Sequence, residues 1–339
     1  MAGVQRAATR NRRPKVAVIF GGRSSEHDVS RRSADSVLRF LDADRYDVVP
    51  VTITRDGTWE LGDTAPHSLP GMLAALEFLR TVDVAFPCLH GPFGEDGTVQ
   101  GLLECAGVPY VGSKVLASAT AMDKEFTKKI VAAEGIAVAD SVVLREGQSG
   151  VSPKDRVRLG LPVFVKPARG GSSVGVSRVD DWDALPAAIA EARRWDSKVL
   201  VEAAVDGIEV DIALLQEPGG RVIAGPPLEV SVGAASDFFD YDAKYRAGGA
   251  EFVIPARLDP VDAGEVVRTA RRVFEVLGCA GLLRVDFFLT SVGGRMVPVL
   301  NEVNTMPGLT ELSQFPRIWQ AVGMPYADLL DRLVDTALA

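Results

Sequence analysis

The sequence predicts a mixed fold, an α/β unit built on a parallel sheet followed by two α+β units. Three observations carry this. Strands and helices alternate between residues 15 and 122, the pattern of a parallel sheet covered on both faces. A hairpin, "VFVKPARGGSSVGVSRV", breaks that alternation at 163–179. Two later strands, "LLRVDFFL" and "VPVLNEVN", carry polar groups on one face of otherwise apolar runs. At 339 residues the chain is long enough for two or three domains.

The first unit opens with the buried strand "KVAVIF" at 15–20, followed by Gly21-Gly22. A helix is expected from Ser24 or Ser25, with Val29, Val37, Leu38 and Leu41 at helical spacing. Strand "YDVVPVTIT", helix "MLAALEFLR", strand "VDVAFPCL" and helix "GTVQGLLECAG" follow, the last ended by Gly107. "VPYVG" returns to the sheet, and the unit closes near 122. The second unit, 123–207, holds the helix "MDKEFTKKIVAAEG", the strand "SVVL", a polar loop, the hairpin, the helix "DDWDALPAAIAEARRW" and the strand "KVLVEAAV". The third, 208–339, alternates "EVDIALLQ", "VIAGPPLEV" and the two polar-faced strands with helices "PVDAGEVVRTARRVFEVLG" and "YADLLDRLVDTAL". Residues 1–14, basic and free of acid, read as a disordered tail.

Composition excludes several classes. Hydrophobic residues are 47% and charged residues 24%, which suits packed globular units. The net charge of −8 disfavours nucleic acid as partner. No long uninterrupted apolar run suggests a membrane span, and "MAGVQRAATRNRRPK" lacks the apolar stretch expected of a secretory signal. Cys88, Cys105 and Cys279 sit in apolar settings, so reduced core thiols in a cytoplasmic protein are expected. Three scattered Cys and three His offer no zinc spacing.

The hairpin loop, Pro167 to Ser173, differs from the common phosphate loops. A P-loop puts its lysine after the glycines and a helix directly behind; here Lys166 precedes Gly170 and a strand follows. A glycine–serine tip still offers amides and hydroxyls to an anion, with Lys166 as a point charge. The plain alternative is a solvated surface hairpin.

On the two polar-faced strands, Arg284 and Asp286 are two residues apart, as are Glu302 and Asn304, so each pair shares a face. Such groups in an apolar sheet must be paired or bind something. Two carboxylates and an amide are hard oxygen donors suited to Mg²⁺; an internal ion-pair network is the alternative. In "NTMPGLT", Pro307-Gly308 forces a turn and exposes the Gly308 amide, a candidate oxyanion donor. Together these features suggest phosphoryl transfer.

"MDK", "VFVKPARGGSSVGVSRV", "DYDAKY", "LLRVDFF" and "NEVNTMPGLTELS", with "GGRSSEHDVS" and "LHGPFGEDGTVQGLLE", resemble the D-alanine–D-alanine ligases of the ATP-grasp superfamily. The resemblance runs from about residue 15 to the C-terminus. It implies a three-domain ATP-grasp fold with an N-terminal Rossmann-like parallel-sheet domain. It also implies ATP-dependent joining of two D-alanines through an acyl phosphate, for peptidoglycan precursors. By this resemblance Lys124 and Lys166 would contact the ATP phosphates, with Lys244 near the γ-phosphate. The stretch Gly171, Ser172, Ser173 and Val174 would close over them, and Glu202 and Glu209 would hold adenine and ribose. Asp286, Glu302 and Asn304 would bind two Mg²⁺, with Mn²⁺ as the alternative. Arg284 and Gly308 would stabilise the oxyanion. Glu26, at a helix N-terminus, would take the first D-alanine's ammonium, His90 would line that subsite, and Ser313 would hold the second D-alanine's carboxylate. Ser172 would link to Glu26 and Tyr245, latching a lid at 233–250, and Tyr245 favours D-alanine over D-lactate as acceptor. A homodimer is implied. Met306, the short 60–82 stretch and the glycine in "PARGG" depart from many relatives. A D-alanine–D-lactate ligase, a dinucleotide-binding oxidoreductase suggested by "VAVIFGG" and a non-catalytic ATP sensor are the competing readings; the oxidoreductase lacks GxGxxG.

Overall fold

The computed structural model describes residues 12–61, 72–232 and 250–339. Three sheets follow one another along the chain. The first has the order β3-β2-β1-β4, from β1 (Lys15–Gly21), β2 (Asp47–Ile53), β3 (Trp59–Leu61) and β4 (Val84–Pro87). β1 pairs parallel with β2 and β4, and only the edge strand β3 runs antiparallel. Both faces of β1 are covered, hence its unbroken apolar run. Val16, Val18 and Phe20 enter one core, and Ala17 and Ile19 the opposite one. "VPYVG" contributes only a bridge from Tyr110 to Ala85, because Gly112, at φ 106°, turns the chain away. The helices are α1 (His27–Phe40), α2 (Met72–Leu79) and α3 (Thr98–Ala106). Glu26 is the N-cap of α1, so the helix begins two to three residues later than its sequence signals suggested.

Two helices meet at Asp123: α4 (Val115–Met122), which lacks an amphipathic pattern and was not anticipated, and α5 (Lys124–Ala133). Asp123 caps α5 by accepting from the amides of Glu125 and Phe126. The central sheet, order β5-β8-β6-β7, is wholly antiparallel. It comprises β5 (Ser141–Leu144), β6 (Val163–Pro167), β7 (Ser177–Val179) and β8 (Val199–Ala203). β6 and β7 form the expected hairpin, but its loop spans 168–176 rather than 167–173. Ser172 and Ser173 adopt positive φ, as does Gly175, and cannot extend the ladder. The polar loop before it contains α6 (Pro153–Leu159), whose start was legible in Ser152 capping Asp155. The expected helix at 180–195 is a 3-10 turn, Trp182–Ala184, then α7 (Leu185–Ala192), with Pro186 in its first turn.

The third sheet has the order β12-β11-β9-β13-β14, with β10 beside β9, all antiparallel. Its strands are β9 (Ile208–Gln216), β10 (Val222–Ala224), β11 (Leu228–Val232), β12 (Ala250–Val253), β13 (Leu282–Val292) and β14 (Arg295–Asn304). "VIAGPPLEV" divides at Pro226-Pro227, which cannot donate to a ladder. The helices are α8 (Pro260–Val276), α9 (Gln314–Ala321), which was not anticipated, and α10 (Tyr326–Leu338).

One core joins the first and third sheets: Val16, Phe20 and Phe86 pack with Leu215, Phe315 and Leu329. The central sheet buries a core of its own, drawn only from its own stretch, including Leu144, Val163, Val179, Leu185 and Val201. Cys88 and Cys279 are buried, and burial raises both thiols, Cys279 to about 12. Cys105 corrects the expectation of three core thiols: it lies exposed on α3, whose inward face uses Val99 and Leu103.

Candidate active site

The loops and strands of the central and third sheets enclose a cleft of about 750 Å³. Lys124, Lys166, Glu202, Glu209 and Glu302 line it, as do Gly171, Ser173 and Val174 of the hairpin loop. Lys166 reaches the cleft from β6 by strand alternation, and its Nζ donates to Glu202 Oε1 at 2.7 Å on neighbouring β8. Lys124, the first residue of α5, donates to the Gly170 carbonyl at 2.8 Å and stands 3.6 Å from Glu302 Oε2. Both lysines therefore line one cleft, Lys124 tied to the loop and to the third sheet and Lys166 to β8 of its own sheet. Glu209 sits on β9 opposite Phe288 and Val230.

At the Glu302 end, Asp286 on β13 lies directly opposite Glu302 on β14, and Arg284 opposite Asn304. Just beyond, the register shifts by one, so that Phe287 faces Leu300 and Asn301 is the extra residue. This bulge brings both Asn301 and Glu302 to the cleft wall. Arg284 grips Asp286 with two hydrogen bonds of 2.7 Å and stands 3.6 Å from Asp211. Burial opposes its charge, but Asp286, Asp211 and Glu302 outweigh that and raise its pKa. The Arg284–Asp286 part of the alternative ion-pair network is thus realised. Asn304 Nδ2 donates to Asp286 Oδ2 at 3.1 Å. Among the described residues no three His, Cys, Asp or Glu gather as a metal site. The set here is two carboxylates and an amide, all hard oxygen donors on one sheet face, which fits Mg²⁺.

Glu26, at the N-cap of α1, accepts from the Ser172 hydroxyl across 146 residues of chain. Gly91 and Gly171 crowd the same carboxylate: a Cβ on either would stand 2.5 Å from Glu26 Oε2. The hairpin loop therefore touches the first unit as well as roofing the cleft. Ser24 anchors this corner by donating to the His90 carbonyl at 2.7 Å.

His90 is buried, with Nδ1 3.0 Å from the Met306 carbonyl and Nε2 2.9 Å from Ser33 Oγ. Burial and the Arg284 charge lower its pKa to about 4, against the Met306 bond. Ser33 also accepts from the Leu309 amide, at 3.3 Å. His90 thereby braces the turn that carries Gly308. It also borders a separate cavity of about 260 Å³ with Gly22, Ser24 and Leu89. Ser313 Oγ bonds Thr310, and a Cβ on Gly308 would approach it to 3.0 Å. Lys244 and Tyr245, and the lid at 233–250 but for its last residue, lie outside the described residues.

The sequence reading missed three side chains. Glu95 accepts from the Gly91 amide at 2.7 Å and the Met306 amide at 3.0 Å, bridging the first unit to the Gly308 turn. Burial first, then the Glu26 charge, push it up to about 8. Asp211, fully buried, accepts from Gln314 at 2.6 Å; a lone acid inside "EVDIALLQ" was its signal. Lys128 stands one helical turn beyond Lys124, a repeat that marks one face of α5.

Two antiparallel sheets gripping a cleft of lysines and carboxylates, with a glycine–serine loop as roof, define an ATP-grasp enzyme. The D-ala D-ala ligase N-terminus family matches residues 15–113 and the D-ala D-ala ligase C-terminus family residues 130–335. The chain belongs to the D-alanine–D-alanine ligase family. It is 52% identical to the D-alanine--D-alanine ligase of Mycobacterium sp. (strain KMS), covering 97% of this chain and 98% of that protein. It is 51% identical to that of Rhodococcus opacus (strain B4), covering 96% and 97%. Among solved structures it resembles the D-alanine--D-alanine ligase of Bacillus anthracis complexed with ATP, with TM-score 0.78, 31% identity and coverage of 96% and 97%. The VanG D-Ala:D-Ser ligase of Enterococcus faecalis superposes with TM-score 0.80 at 34% identity, covering 96% and 100%.

Proposed function

We propose that the cleft binds ATP and that the neighbouring Glu26 corner binds D-alanine. As a member of its family the chain is an ATP-dependent ligase that joins two D-alanines to D-alanyl-D-alanine for peptidoglycan precursors. The observation that carries the site reading is the Ser172–Glu26 contact, because it joins the nucleotide roof to an acid outside the nucleotide cleft.

In this reading Lys124 and Lys166 neutralise the phosphates, and the amides around Ser172 and Ser173, which both have positive φ, cradle them. Lys244 adds charge at the γ-phosphate. Glu202 and Glu209 hold adenine and ribose. Glu26 binds the ammonium of the first D-alanine, and buried His90 shapes that subsite. One carboxylate oxygen of this D-alanine attacks the γ-phosphorus and ADP leaves. The amine of the second D-alanine, its carboxylate held by Ser313, attacks the acyl carbon. Arg284 and the Gly308 amide take the charge that develops on the acyl oxygen, the nitrogen loses a proton and phosphate departs. Asp286, Glu302 and Asn304 would hold two Mg²⁺, which supply charge neutralisation between the terminal phosphates. Tyr245 favours an amine acceptor.

The reading includes unit boundaries near 122 and 207, a homodimer and a cytoplasmic location. No described helix is long and apolar enough to cross a membrane. A coupled ADP-release assay with D-alanine alone tests the function. Turnover with D-alanine alone is expected; turnover only when D-lactate is added would assign the acceptor to the hydroxy acid. ATP binding that Lys166→Ala leaves unchanged would remove the nucleotide from this cleft.

A further inference from the structure

Glu202 is a buried carboxylate, 5% exposed, that meets two lysines. Lys166 takes Oε1 and Lys128 stands 2.7 Å from Oε2. The Lys128 contact is off-axis, an ion pair rather than an aligned hydrogen bond. Lys128 is 5% exposed and, unlike Lys124 and Lys166, does not reach the cleft wall. Nothing in the ligation chemistry above uses it.

The arrangement raises a problem of charge. If Lys166 serves the phosphates, as the proposed function requires, it must leave Glu202 or share itself. A buried carboxylate stripped of its cation is strongly destabilising. Lys166 alone would therefore stay neutralised by Glu202, and the phosphates would have to compete for it. A second cation on the far oxygen removes that conflict. It also leaves Lys128, Lys166 and Glu202 with one net positive charge facing the nucleotide.

The placement of Lys128 on the helix supports the same conclusion. Lys124 and Lys128 are i and i+4 on α5, a like-charge pair that weakens an isolated helix. Each faces its own acid, Glu302 for Lys124 and Glu202 for Lys128. Burial, then the neighbouring Lys166 and Lys124, depress the Lys128 pKa against the pull of Glu202. Glu202 itself is held low by Lys128 and Lys166 although burial pushes the other way.

We propose that Lys128 is a positioning residue for ATP: by holding Glu202 Oε2 it keeps that carboxylate compensated and in place while Lys166 turns to the phosphates. This rests on the cleft being the nucleotide site, which wild-type ATP binding tests separately.

The experiment compares wild type, K128M, K128R, E202Q and E202Q/K128M. It measures ATP affinity by calorimetry, steady-state KM and kcat, and melting temperature. K128M is expected to raise the ATP dissociation constant and KM for ATP about tenfold. Its kcat at saturating ATP and its KM for D-alanine should stay near wild type, and K128R should recover most of the affinity. In the E202Q background, K128M should have no further effect, since no carboxylate then needs the cation. Should K128M fail to fold, this neutral pair decides the matter. Wild-type affinity in K128M, or a further loss in E202Q/K128M, would overturn the proposal. Failure of the wild type to bind ATP would instead overturn the nucleotide reading.

Discussion

The hydroxyl of Ser172, at the tip of the hairpin loop, donates to Glu26 Oε1 at the N-cap of α1. Removing it by S172A should lower kcat/KM for D-alanine about ten- to hundredfold, the worth of a hydrogen bond to a charged acceptor. ATP affinity should stay within a few-fold, since neighbouring amides remain. An equal loss in both would mean that Ser172 serves the nucleotide and not the link.

Gly171 offers a cleaner probe of the same corner. Its backbone is outside the left-handed region, so alanine adds no backbone strain, yet the new Cβ would stand 2.5 Å from Glu26 Oε2. G171A should keep the wild-type melting temperature and raise KM for D-alanine about tenfold or more as the carboxylate is displaced. Unchanged D-alanine kinetics would show that the corner has room to spare.

Glu302 lies opposite Asp286 and 3.6 Å from Lys124. If Glu302 holds Mg²⁺ as proposed, E302Q should reduce turnover by about 100-fold or more and shift the Mg²⁺ requirement to higher concentration. Near-normal ADP release at low Mg²⁺ would reassign Glu302 to a structural pairing with Lys124.

Buried His90, lowered to about 4, makes stability depend on acid. Between its ordinary value and 4 the unfolded chain binds a proton that the folded chain refuses. The contribution is complete above about pH 6.5 and declines as pH falls towards 4, by up to about 3 kcal/mol. Glu95, raised to about 8, acts oppositely: its carboxyl favours the folded state at low pH and loses that advantage as pH rises from its ordinary range to 8. Urea denaturation of wild type and H90N at pH 7 and pH 4.5 separates the two. The gap between the proteins should shift in favour of H90N at pH 4.5, and a constant gap would refute the buried neutral imidazole.

Cys105 is exposed while Cys88 and Cys279 are buried with raised thiols. A thiol reagent should label one cysteine in the native protein and three in denaturant. Labelling of C105S under native conditions would contradict the burial of Cys88 and Cys279.

Most of the first sheet and the hairpin could be read from local patterns, because β1 is buried on both faces and Gly170-Gly171 punctuates the loop. The same-face pairs Arg284/Asp286 and Glu302/Asn304 were legible for the same reason: polar groups interrupt apolar strands at a period of two. What escaped was long-range or masked by composition. The exposure of Cys105 depends on which turn of α3 faces the core, and in "LLECAG" the apolar Leu102, Leu103 and Ala106 outweigh Glu104. α4 is made of small residues through its middle, Ala117 to Ala121, and shows no stripe. The bulge at Asn301 arises only when β13 and β14 pair, and Glu95 acquires its role from an amide 211 residues away. Ser152 before Pro153 is a capping signal for α6, set within a stretch whose polarity otherwise reads as loop.

The separate core of the central sheet has a mechanical consequence. The first and third sheets are welded by shared hydrophobic side chains, whereas the hairpin-bearing sheet meets α5 across ion pairs and one backbone bridge: Lys198 on Asp123 at 2.5 Å and Glu125 at 3.0 Å, Lys128 on Glu202, and the Lys124 amide on the Ala168 carbonyl at 2.9 Å. Parting such a seam would expose no oily interior, and an arriving polyanion alters the very charges along it.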